Sequence, residues 1–402
     1  MNLKIGYLRN RYPEIRNIIN RAGQENQYVQ IGRVRQFLLD VYRAVEIIFH
    51  RLLKSKAQMN CDRHMVYKQV SASDIDVIHT FNTVCDVSVP WVSTFETMIP
   101  RTNCLCCRDW EVGTLVPDEI TLYGFELCAS EHCKTLIALS ESSKIMQTLI
   151  MEALKIPNRE VIAEKIKVLP PPQPILISPD ELDKKFQNIH ERIEFLFIGG
   201  LFYRKGGSQI LDAMQEMVSK GMKLHLTIVS SLVDDGFTKI SAEEKQRYQR
   251  MISECDWITH YPKLPNAEVL KLCKKAHVGM LPSMADTYGY AILEMQAGGC
   301  PVITTDIRAM PEINNNECGY IIPVPKYPST EAIYDSPESL ETLKKTIYQG
   351  MHRILEEIQD HPEAVQEKSK AVLSRLIRDH SPDKYAMELS QIYQNAIVNI
   401  PK

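Results

Sequence analysis

A glycine-rich loop with two adjacent cations lies near the middle of the 402-residue chain. A short apolar run predicts a strand, and Gly199 and Gly200 follow it. Arg204 and Lys205 come a few positions later. Glycines let the backbone come close to a ligand. We expect Ser208 to cap a helix there, and a helix N-terminus attracts anions. The loop therefore predicts a cradle for a diphosphate group, although its spacing is neither a Walker motif nor G-x-G-x-x-G.

Two acidic residues stand eight positions apart in a second segment, residues 281–313. Asp286 lies in a predicted loop after a strand, and Glu294 lies in the second turn of a helix that should begin near residues 288–289. The backbone N–H groups at the start of that helix have no partner within the helix. Both acids could accept hydrogen bonds from hydroxyl groups. In the alternative interpretation, Asp286 caps the helix and Glu294 is simply exposed.

Strands and helices must hold these groups in place. Apolar runs flanked by turn residues predict buried parallel strands. The runs are residues 3–8, 77–81, 91–95, 136–139, 195–198, 224–229, 278–281, 302–304 and 320–322. Longer helical patterns alternate with them, which predicts an α/β protein with right-handed crossovers and doubly wound sheets. Such sheets bind ligands at the carboxyl ends of their strands.

The length of the chain and a proline-rich stretch indicate two domains. A chain of 402 residues exceeds one typical core and suits two domains of about 200 residues each. Several prolines between residues 169 and 179 cannot continue a helix or a central strand. We therefore predict an N-terminal domain over residues 1–172, a C-terminal domain over residues 173–382 and a helical segment over residues 383–402, with ligand bound in the cleft between the domains.

Composition and charge exclude several classes of protein. Hydrophobic residues make up 44% and charged residues 24%, as in soluble globular proteins. No run of about eighteen apolar residues indicates a membrane span, and the N-terminus lacks a signal-peptide pattern. We therefore expect a cytoplasmic protein. An odd count of eleven cysteines favours reduced thiols over a disulfide framework.

One group of cysteines leaves two interpretations open. It consists of Cys104, Cys106 and Cys107, followed by Cys128, His132 and Cys133. The group could supply zinc ligands, but its spacing matches none of the usual paired Cys-x-x-Cys patterns. In the second interpretation, the cysteines are small buried hydrophobic residues. We expect no bound metal.

The first 70 residues are basic, with 13 Lys and Arg against 5 Asp and Glu, whereas the whole chain has a net charge of −3. Such a region suggests an anionic partner. Within it, residues 34–56 carry apolar side chains at three- and four-residue steps, which predicts an amphipathic helix. This helix either packs on the first sheet or docks on anionic lipid at the inner face of a membrane. We expect no nucleic-acid partner.

The order of the chemistry-bearing segments resembles that of the retaining GT-B glycosyltransferases, in particular glycosyltransferase family 4. That family carries Gly-Arg-Leu and Lys-Gly in one loop, then Pro-Ser-x-x-Glu-x-Phe/Tyr-Gly-x-x-x-x-Glu-Ala, then Gly-x-Pro-Val and Pro-Glu. The residues that match are Gly199, Leu201, Lys205, Gly206, Pro282, Ser283, Tyr288, Gly289, Glu294, Gly299, Pro301, Val302, Pro311 and Glu312. Asp286 stands at the position of the first Glu.

The resemblance implies two Rossmann-like domains and transfer of a sugar from a nucleotide-sugar, with retention at the anomeric carbon. The acceptor would be a glycan or a lipid-linked glycan. Lys205, helped by Arg204, would stabilise the diphosphate, Asp286 would contact the donor sugar, and Glu294 would bind the ribose hydroxyls. Further donor contacts are implied for Gly199, Gly200, Thr287, Tyr288, Gly289 and Tyr290. The C-terminal helix would pack back on the N-terminal domain. No Asp-x-Asp motif lies in a suitable loop, so we expect metal-independent catalysis.

The sequence departs from the family pattern at two donor positions and on the acceptor side. Gly200 replaces the family's Arg, and Asp286 is one methylene shorter than Glu. For the acceptor, His79 and Glu96 are candidates, or else they are structural residues at strand ends. Two other functions stay open: a sugar-nucleotide epimerase of related fold, and a sugar-nucleotide-binding protein that has lost activity.

Overall fold

A computed structural model describes residues 2–31, 58–59, 66–68, 74–101 and 116–398 of the chain. The chain divides into two compact units, one made of Met1–Pro172 with Pro382–Lys402 and the other of Gln173–Ser381. Both divisions lie within one residue of the predicted boundaries. The predicted amphipathic helix over residues 34–56 and the cysteines at positions 104, 106 and 107 lie outside the described residues.

The first unit is built on a parallel sheet. Its strands are β1 (Lys4–Tyr7), β2 (Gln27–Gln30), β3 (Gln58–Met59), β4 (Val66–Lys68), β5 (Val77–Phe81), β6 (Val84–Asp86), β7 (Trp91–Phe95), β8 (Val116–Pro117), β9 (Cys133–Ala138) and β10 (Ile166–Val168). Six of these form the main sheet in the order β10-β9-β7-β5-β1-β2, and β3 pairs with β8 and β4 with β6. The strands β5 and β7 are buried throughout, as central strands of a sheet covered on both faces must be.

Helices connect these strands and cover the sheet. They are α1 (Tyr12–Asn17), α2 (Glu119–Ala129), α3 (Glu141–Ala153), α4 (Arg159–Glu164) and the C-terminal helix Pro382–Val398. The C-terminal helix buries Tyr385, Leu389 and Tyr393 in a cluster with strand residues such as Ile5 and Val77. Burial of each such side chain stabilises the fold by about 1.5–3 kcal/mol. The C-terminal helix is therefore part of the core of the first unit.

The second unit is a six-stranded parallel sheet with helices between its strands. The strands are β11 (Ile193–Ile198), β12 (Leu224–Val229), β13 (Ile258–Tyr261), β14 (Val278–Leu281), β15 (Val302–Thr305) and β16 (Tyr320–Ile322), in the order β13-β12-β11-β14-β15-β16. The helices are α5 (Pro179–Lys185), α6 (Gly207–Ser219), α7 (Ala242–Glu254), α8 (Asn266–Lys275), α9 (Tyr290–Ala297), α10 (Met310–Ile313), α11 (Pro337–Asp360) and α12 (Glu363–Asp379). The predicted α/β class is confirmed.

The strand order of the second unit reverses between β11 and β14. From β11 the chain builds outward through β12 to β13, and it then returns to the other side of β11 to form β14. In open α/β sheets such a switch point leaves a crevice at the carboxyl ends of the two strands. The loops that follow β11 and β14 therefore occupy the position where such folds bind ligands.

Cys128 and Cys133 lie in the hydrophobic core of the first unit. Burial raises the pKa of the Cys133 thiol to about 12, so it is a neutral apolar side chain. Among the described residues, no group of three His, Cys, Asp or Glu side chains is placed to hold a metal ion. Of the helices in the described ranges, none combines the length and the apolar composition that crossing a bilayer requires.

Candidate functional site

The loop after β11 is tied to the loop after β14 by backbone contacts. The Met284 amide donates a hydrogen bond to the Arg204 carbonyl over 2.9 Å. Gly206 adopts φ +81, and a Cβ at this position would overlap the Pro282 carbonyl oxygen. Only glycine satisfies the left-handed backbone and the close approach at once. The two segments singled out in the sequence are thus in direct contact.

Gly206 is also the N-cap of helix α6, which corrects the prediction that Ser208 caps this helix. The helix begins at Gly207 with Gly206 as its N-cap, and no side chain caps it. Ser208 lies inside the first turn and is buried, so it is not the cap that the sequence suggested. The Gly207 amide donates to the Phe202 carbonyl over 2.9 Å. Because no side chain caps the helix, the next amides of its first turn are the groups that attract anions at helix starts.

Lys205 and Asp286 form an ion pair at the junction of the two loops. The Lys205 ammonium donates to Asp286 Oδ2, and the two side chains are 17% and 10% exposed. A Cβ at Gly199 would lie 2.8 Å from Lys205 Cδ, so the absence of a side chain there leaves room for the lysine stem. The structure therefore brings Gly199, Lys205 and Asp286 together at the switch point.

The second oxygen of Asp286 holds the backbone of its own loop. Asp286 Oδ1 accepts a hydrogen bond from the Thr287 amide over 2.8 Å. The Thr287 amide is therefore occupied, so it is not one of the free backbone donors expected near the start of this helix. Asp286 is not the helix cap either, because Gly289, at φ +92, is the N-cap of α9 and Tyr290 is its first residue.

The guanidinium group of Arg204 is held by different residues from the Lys205 ammonium. It forms an ion pair with Asp235 and lies 5.0 Å from the centroid of the Phe237 ring. The Phe237 ring packs on Tyr334 at a centroid distance of 4.6 Å. A Cβ added at the neighbouring Gly200 would have no atom within 4 Å, so this position has open space. The two adjacent cations are thus bound by two different carboxylates.

Glu294 is buried and positioned by another helix. It lies in the second turn of α9, is only 7% exposed, and its Oε1 accepts a hydrogen bond from Asn266 Nδ2 over 3.3 Å. The alternative that Glu294 is simply exposed is therefore wrong. Tyr288 is buried at 2% exposure, and its ring lies 5.2 Å from that of Tyr290. The Tyr288 side chain therefore packs in the interior of the second unit.

The two acceptor candidates lie in the first unit, in different surroundings. His79 is fully buried within β5, where Nδ1 bonds the Tyr393 hydroxyl at 2.7 Å and Nε2 bonds Thr94 Oγ1 at 2.8 Å. Burial lowers the pKa of His79 to about 3, so it is neutral. With both ring nitrogens bonded in the core, His79 is a structural residue and the acceptor role is not supported.

Glu96 follows β7 at the carboxyl edge of the first sheet. Its Oε1 accepts hydrogen bonds from Arg101 at 2.8 Å and from Asn82 Nδ2 at 3.2 Å. The Glu96 side chain is 14% exposed and the Arg101 side chain 23% exposed. Glu96 therefore stays an acceptor candidate, with its charge balanced by Arg101.

The sequence did not identify three residues that position the site: Asp235, Phe237 and Asn266. Asp235 and Phe237 lie in the loop after β12, and Asn266 is the first residue of α8. The prediction that ligands bind at strand carboxyl ends could have pointed to these segments, since β12 lies next to β11 and β13 lies next to β12. The individual contacts depend on tertiary packing, which no local pattern encodes.

Comparison with protein families and curated sequences finds matches over part of this chain. The sequence model of the family described as "Glycosyl transferases group 1" matches residues 179–349. A glycogen synthase of Mycobacterium tuberculosis is 22% identical over 200 residues, which is 50% of this chain and 42% of that protein. A D-inositol 3-phosphate glycosyltransferase of Segniliparus rotundus is 26% identical over 115 residues, which is 29% of this chain and 25% of that protein. The matches thus span less than half the length of these curated relatives.

Solved structures resemble the whole chain. The Anabaena protein Alr3699/HepE, crystallised in complex with UDP and glucose, aligns with a TM-score of 0.58 and 12% identity over 98% of this chain and 100% of that chain. A glycosyltransferase from Rickettsia africae aligns with a TM-score of 0.57 and 11% identity over 99% of this chain and 100% of that chain. At this identity the likeness establishes the fold, which is GT-B, with two Rossmann-like units.

Proposed function

Because residues 179–349 of this chain belong to the group 1 glycosyl transferases, we propose that the protein transfers a sugar from a nucleotide-sugar donor to a hydroxyl group of a glycan or lipid-linked glycan. The configuration at the anomeric carbon is retained. The observation that carries this proposal is the ion pair of Lys205 with Asp286 at the switch point between β11 and β14. The cation and the carboxylate are neighbours there, and the diphosphate and the sugar are neighbours in the donor molecule.

In this proposal each side chain binds one part of the donor. The Lys205 ammonium and the first amides of α6 bind the diphosphate. Asp286 accepts hydrogen bonds from hydroxyl groups of the sugar. Glu294, held in place by Asn266, accepts hydrogen bonds from the ribose hydroxyls. Arg204 adds positive charge to the same loop, and the backbone of Gly289 and Tyr290 lies beside the sugar.

The chemical step breaks the bond between the anomeric carbon and the phosphate oxygen. Negative charge grows on the leaving nucleoside diphosphate, and Lys205 stabilises that charge more in the transition state than in the ground state. The acceptor oxygen forms its bond to the anomeric carbon on the face that the phosphate leaves. The acceptor proton moves to the departing phosphate oxygen, so atoms and charges balance without another base.

We propose that no divalent ion takes part. Lys205 and Arg204 supply the positive charge that a metal ion would otherwise bring to the diphosphate. Rates that are unchanged by excess EDTA support this part of the proposal, and activity that returns only with added Mg²⁺ or Mn²⁺ contradicts it.

The acceptor is the less defined half of the reaction. The names of the two relatives point to different acceptors, glycogen in one and D-inositol 3-phosphate in the other. The basic first 70 residues favour an acceptor at an anionic membrane surface. Co-sedimentation with anionic vesicles, lost on replacing Arg43, Arg51 and Lys54 by alanine, supports this location. A parent protein that does not sediment with such vesicles contradicts it.

Release of nucleoside diphosphate tests the proposed reaction. The full-length protein is incubated with UDP-, GDP- and ADP-sugars, each with and without a panel of glycan, inositol phosphate and lipid-linked acceptors. Release that depends on acceptor supports transfer, and the anomeric configuration of the product, read by NMR, tests retention. Conversion of the sugar without acceptor indicates an epimerase. Binding without turnover under every acceptor indicates a protein that has lost activity.

A further inference from the structure

A second concave surface of the second unit is lined by lysines. It lies between the C-terminal turns of α5 and α8, and its volume is about 530 Å³. The charged residues that line it, which we call the lysine pocket, are Glu181, Lys184, Lys185, Lys271, Lys274 and Lys275. Helix α8 ends just before β14 begins, so the pocket lies at the amino-terminal edge of the sheet. The candidate donor site lies at the opposite edge.

Part of the positive charge in the lysine pocket is balanced within the protein. Lys274 pairs with Glu181 at 2.6 Å, and this ammonium lowers the pKa of the Glu181 carboxyl to about 2. Lys271 pairs with Glu268 at 2.8 Å. These exposed pairs hold the side chains only weakly, because surface ion pairs contribute about 0–1 kcal/mol.

Lys185 forms the rigid floor of the pocket. Its ammonium donates to the Gly298 carbonyl at 2.9 Å and approaches the Cys273 carbonyl at 3.5 Å. These carbonyls belong to the ends of α9 and α8, where a cation complements the helix dipole. Burial lowers the pKa of Lys185. The charge of Lys185 is therefore used within the fold, where it binds the carbonyls at two helix ends.

The ammonium groups of Lys184 and Lys275 have no such structural role. Both are exposed, and neither has an ion-pair partner within the part of the chain that the structure describes. They stand on two different helices and face the same cavity. Like charges that converge on one concavity repel each other unless an anion lies between them.

We propose that the lysine pocket binds a small phosphorylated molecule, with Lys184, Lys271 and Lys275 donating hydrogen bonds to its phosphate oxygens. Flexible ammonium groups with three donors each suit a phosphate approached from several sides. The cavity has the size of pockets that take small ligands, which span about 300–1,000 Å³.

This site is independent of the proposed transferase reaction, but a phosphate probe will also occupy the donor loop. The experiment is therefore done on protein carrying Lys205→Ala, which removes the ammonium group on which the proposed donor site depends. Pyrophosphate is the probe, and its affinity is measured by isothermal titration calorimetry. The test variant adds Lys184→Ala and Lys275→Ala. The matched control adds Lys345→Ala and Lys370→Ala, which remove two exposed lysines elsewhere on the second unit.

We expect pyrophosphate to bind the Lys205→Ala protein and the matched control equally. The test variant should bind at least about tenfold more weakly, because charge-assisted hydrogen bonds are lost. Equal affinity in all three proteins overturns the proposal. The four lysines replaced in addition to Lys205 are exposed, so circular dichroism and thermal unfolding should match those of the Lys205→Ala protein.

Vesicles distinguish a small ligand from a lipid headgroup. Phosphatidylglycerol vesicles are sedimented with the test variant and with the matched control. Equal sedimentation of the two proteins, together with the loss of pyrophosphate binding, supports a small phosphorylated ligand. Sedimentation that is lost only in the test variant, with no pyrophosphate binding in any protein, assigns the pocket to lipid and overturns the proposal.

Discussion

The Lys205 ammonium and the Asp286 carboxylate bind each other across two loops, although the residues stand 81 positions apart in the sequence. Both loops follow adjacent strands at the switch point of the second sheet. Each side chain is largely shielded from water, which strengthens the attraction between them. In the proposed reaction the donor places its diphosphate at the lysine and its sugar at the aspartate, so we expect the pair to set the orientation of the donor.

Replacing Lys205 should abolish most of the turnover. Lys205→Met keeps the aliphatic stem that packs against Gly199 and removes the charge. We expect kcat to fall by roughly a hundredfold or more, as with the loss of other transition-state charge partners. The measurement is acceptor-dependent release of nucleoside diphosphate. The exposed Lys345→Met is the control and should keep full activity; a Lys205→Met protein that is equally active refutes the role of the charge.

Asn266 should act on donor affinity through Glu294. Asn266→Ala removes the hydrogen bond to Glu294 Oε1 and should weaken donor binding by about 2- to 10-fold, the usual effect of one such bond. Glu294→Ala should weaken donor binding further, and the double variant should add little to Glu294→Ala. Calorimetric titration with the nucleoside diphosphate measures this. Additive effects of the two substitutions would show that Asn266 does not work through Glu294.

Gly200→Arg should improve the donor site. The backbone of Gly200 needs no left-handed conformation, and a side chain there meets open space. An arginine at this position supplies the cation of the family pattern that the sequence resembles, and a charge-assisted hydrogen bond to phosphate contributes about 1.5–3 kcal/mol. We expect donor affinity to rise about tenfold. Gly200→Gln has similar bulk without charge and should leave affinity unchanged. An arginine variant that binds no better than the glutamine variant contradicts the prediction.

Gly206→Ala should destabilise the second unit more than a glycine substitution at an open site. Gly206 and Gly236 have similar φ values, +81 and +78, but only Gly206 lies against Pro282. A left-handed non-glycine residue costs about 1–3 kcal/mol. Gly236→Ala should show this cost alone, and Gly206→Ala should lose at least about 1 kcal/mol more because the loops must separate. Urea unfolding measures the free energy of unfolding of both variants. Equal losses in the two variants would show that the contact of Gly206 with Pro282 adds nothing to the cost.

His79 should make stability depend on pH. Its pKa is about 3 in the folded protein, whereas it is ordinarily near 6.5. The unfolded chain therefore takes up a proton below about pH 6.5, and the folded protein does not. The contribution of His79 to the free energy of unfolding is therefore full above about pH 6.5. It is lost as the pH falls towards 3, by up to about 1.4 kcal/mol per pH unit.

His79→Gln should remove that part of the pH dependence. Urea unfolding of the parent and the variant at pH 7.5, 6.5 and 5.5 gives the two slopes. His361→Gln replaces a histidine whose side chain is 66% exposed and should leave the parent slope nearly unchanged. Parallel profiles of the parent and His79→Gln would show that His79 titrates normally in the folded protein.

The central strands were predictable from sequence, and several edge strands were not. The runs at β5, β7, β12 and β14 have the predicted bounds, because each of these interior strands begins and ends with an apolar residue and is rich in apolar residues between them. Within the two six-stranded sheets, the strands that were missed are β2, β10 and β13, and all three are at sheet edges. The short strands of the two-stranded pairs, β3 with β8 and β4 with β6, were missed as well. β2, with sequence QYVQ, contains no buried residue. An edge strand needs no continuous apolar run, so the pattern is absent there.

The sequence could predict which residues belong to the candidate site, but not which residues they contact. Motif order placed Lys205, Asp286 and Glu294 in one site, and the structure positions each of them in the second unit around the same switch point. The partner of Arg204 comes from the loop after β12, and the partner of Glu294 is the first residue of α8; both are about 30 positions away in sequence. The Thr287 amide is bound by the side chain of Asp286, its own neighbour, because a short acidic side chain competes for nearby backbone donors.

Thermal unfolding in the presence of nucleotide-sugars tests the donor site most directly, because a ligand that binds only the folded protein stabilises it by mass action. The parent and Lys205→Met are compared with UDP-, GDP- and ADP-sugars. We predict that one donor class raises the Tm of the parent, by an amount equivalent to about 2.7 kcal/mol at a hundred times its Kd, and raises that of Lys205→Met far less. A donor that stabilises both proteins equally, or no stabilisation by any nucleotide-sugar, would contradict a donor site built on Lys205 and Asp286.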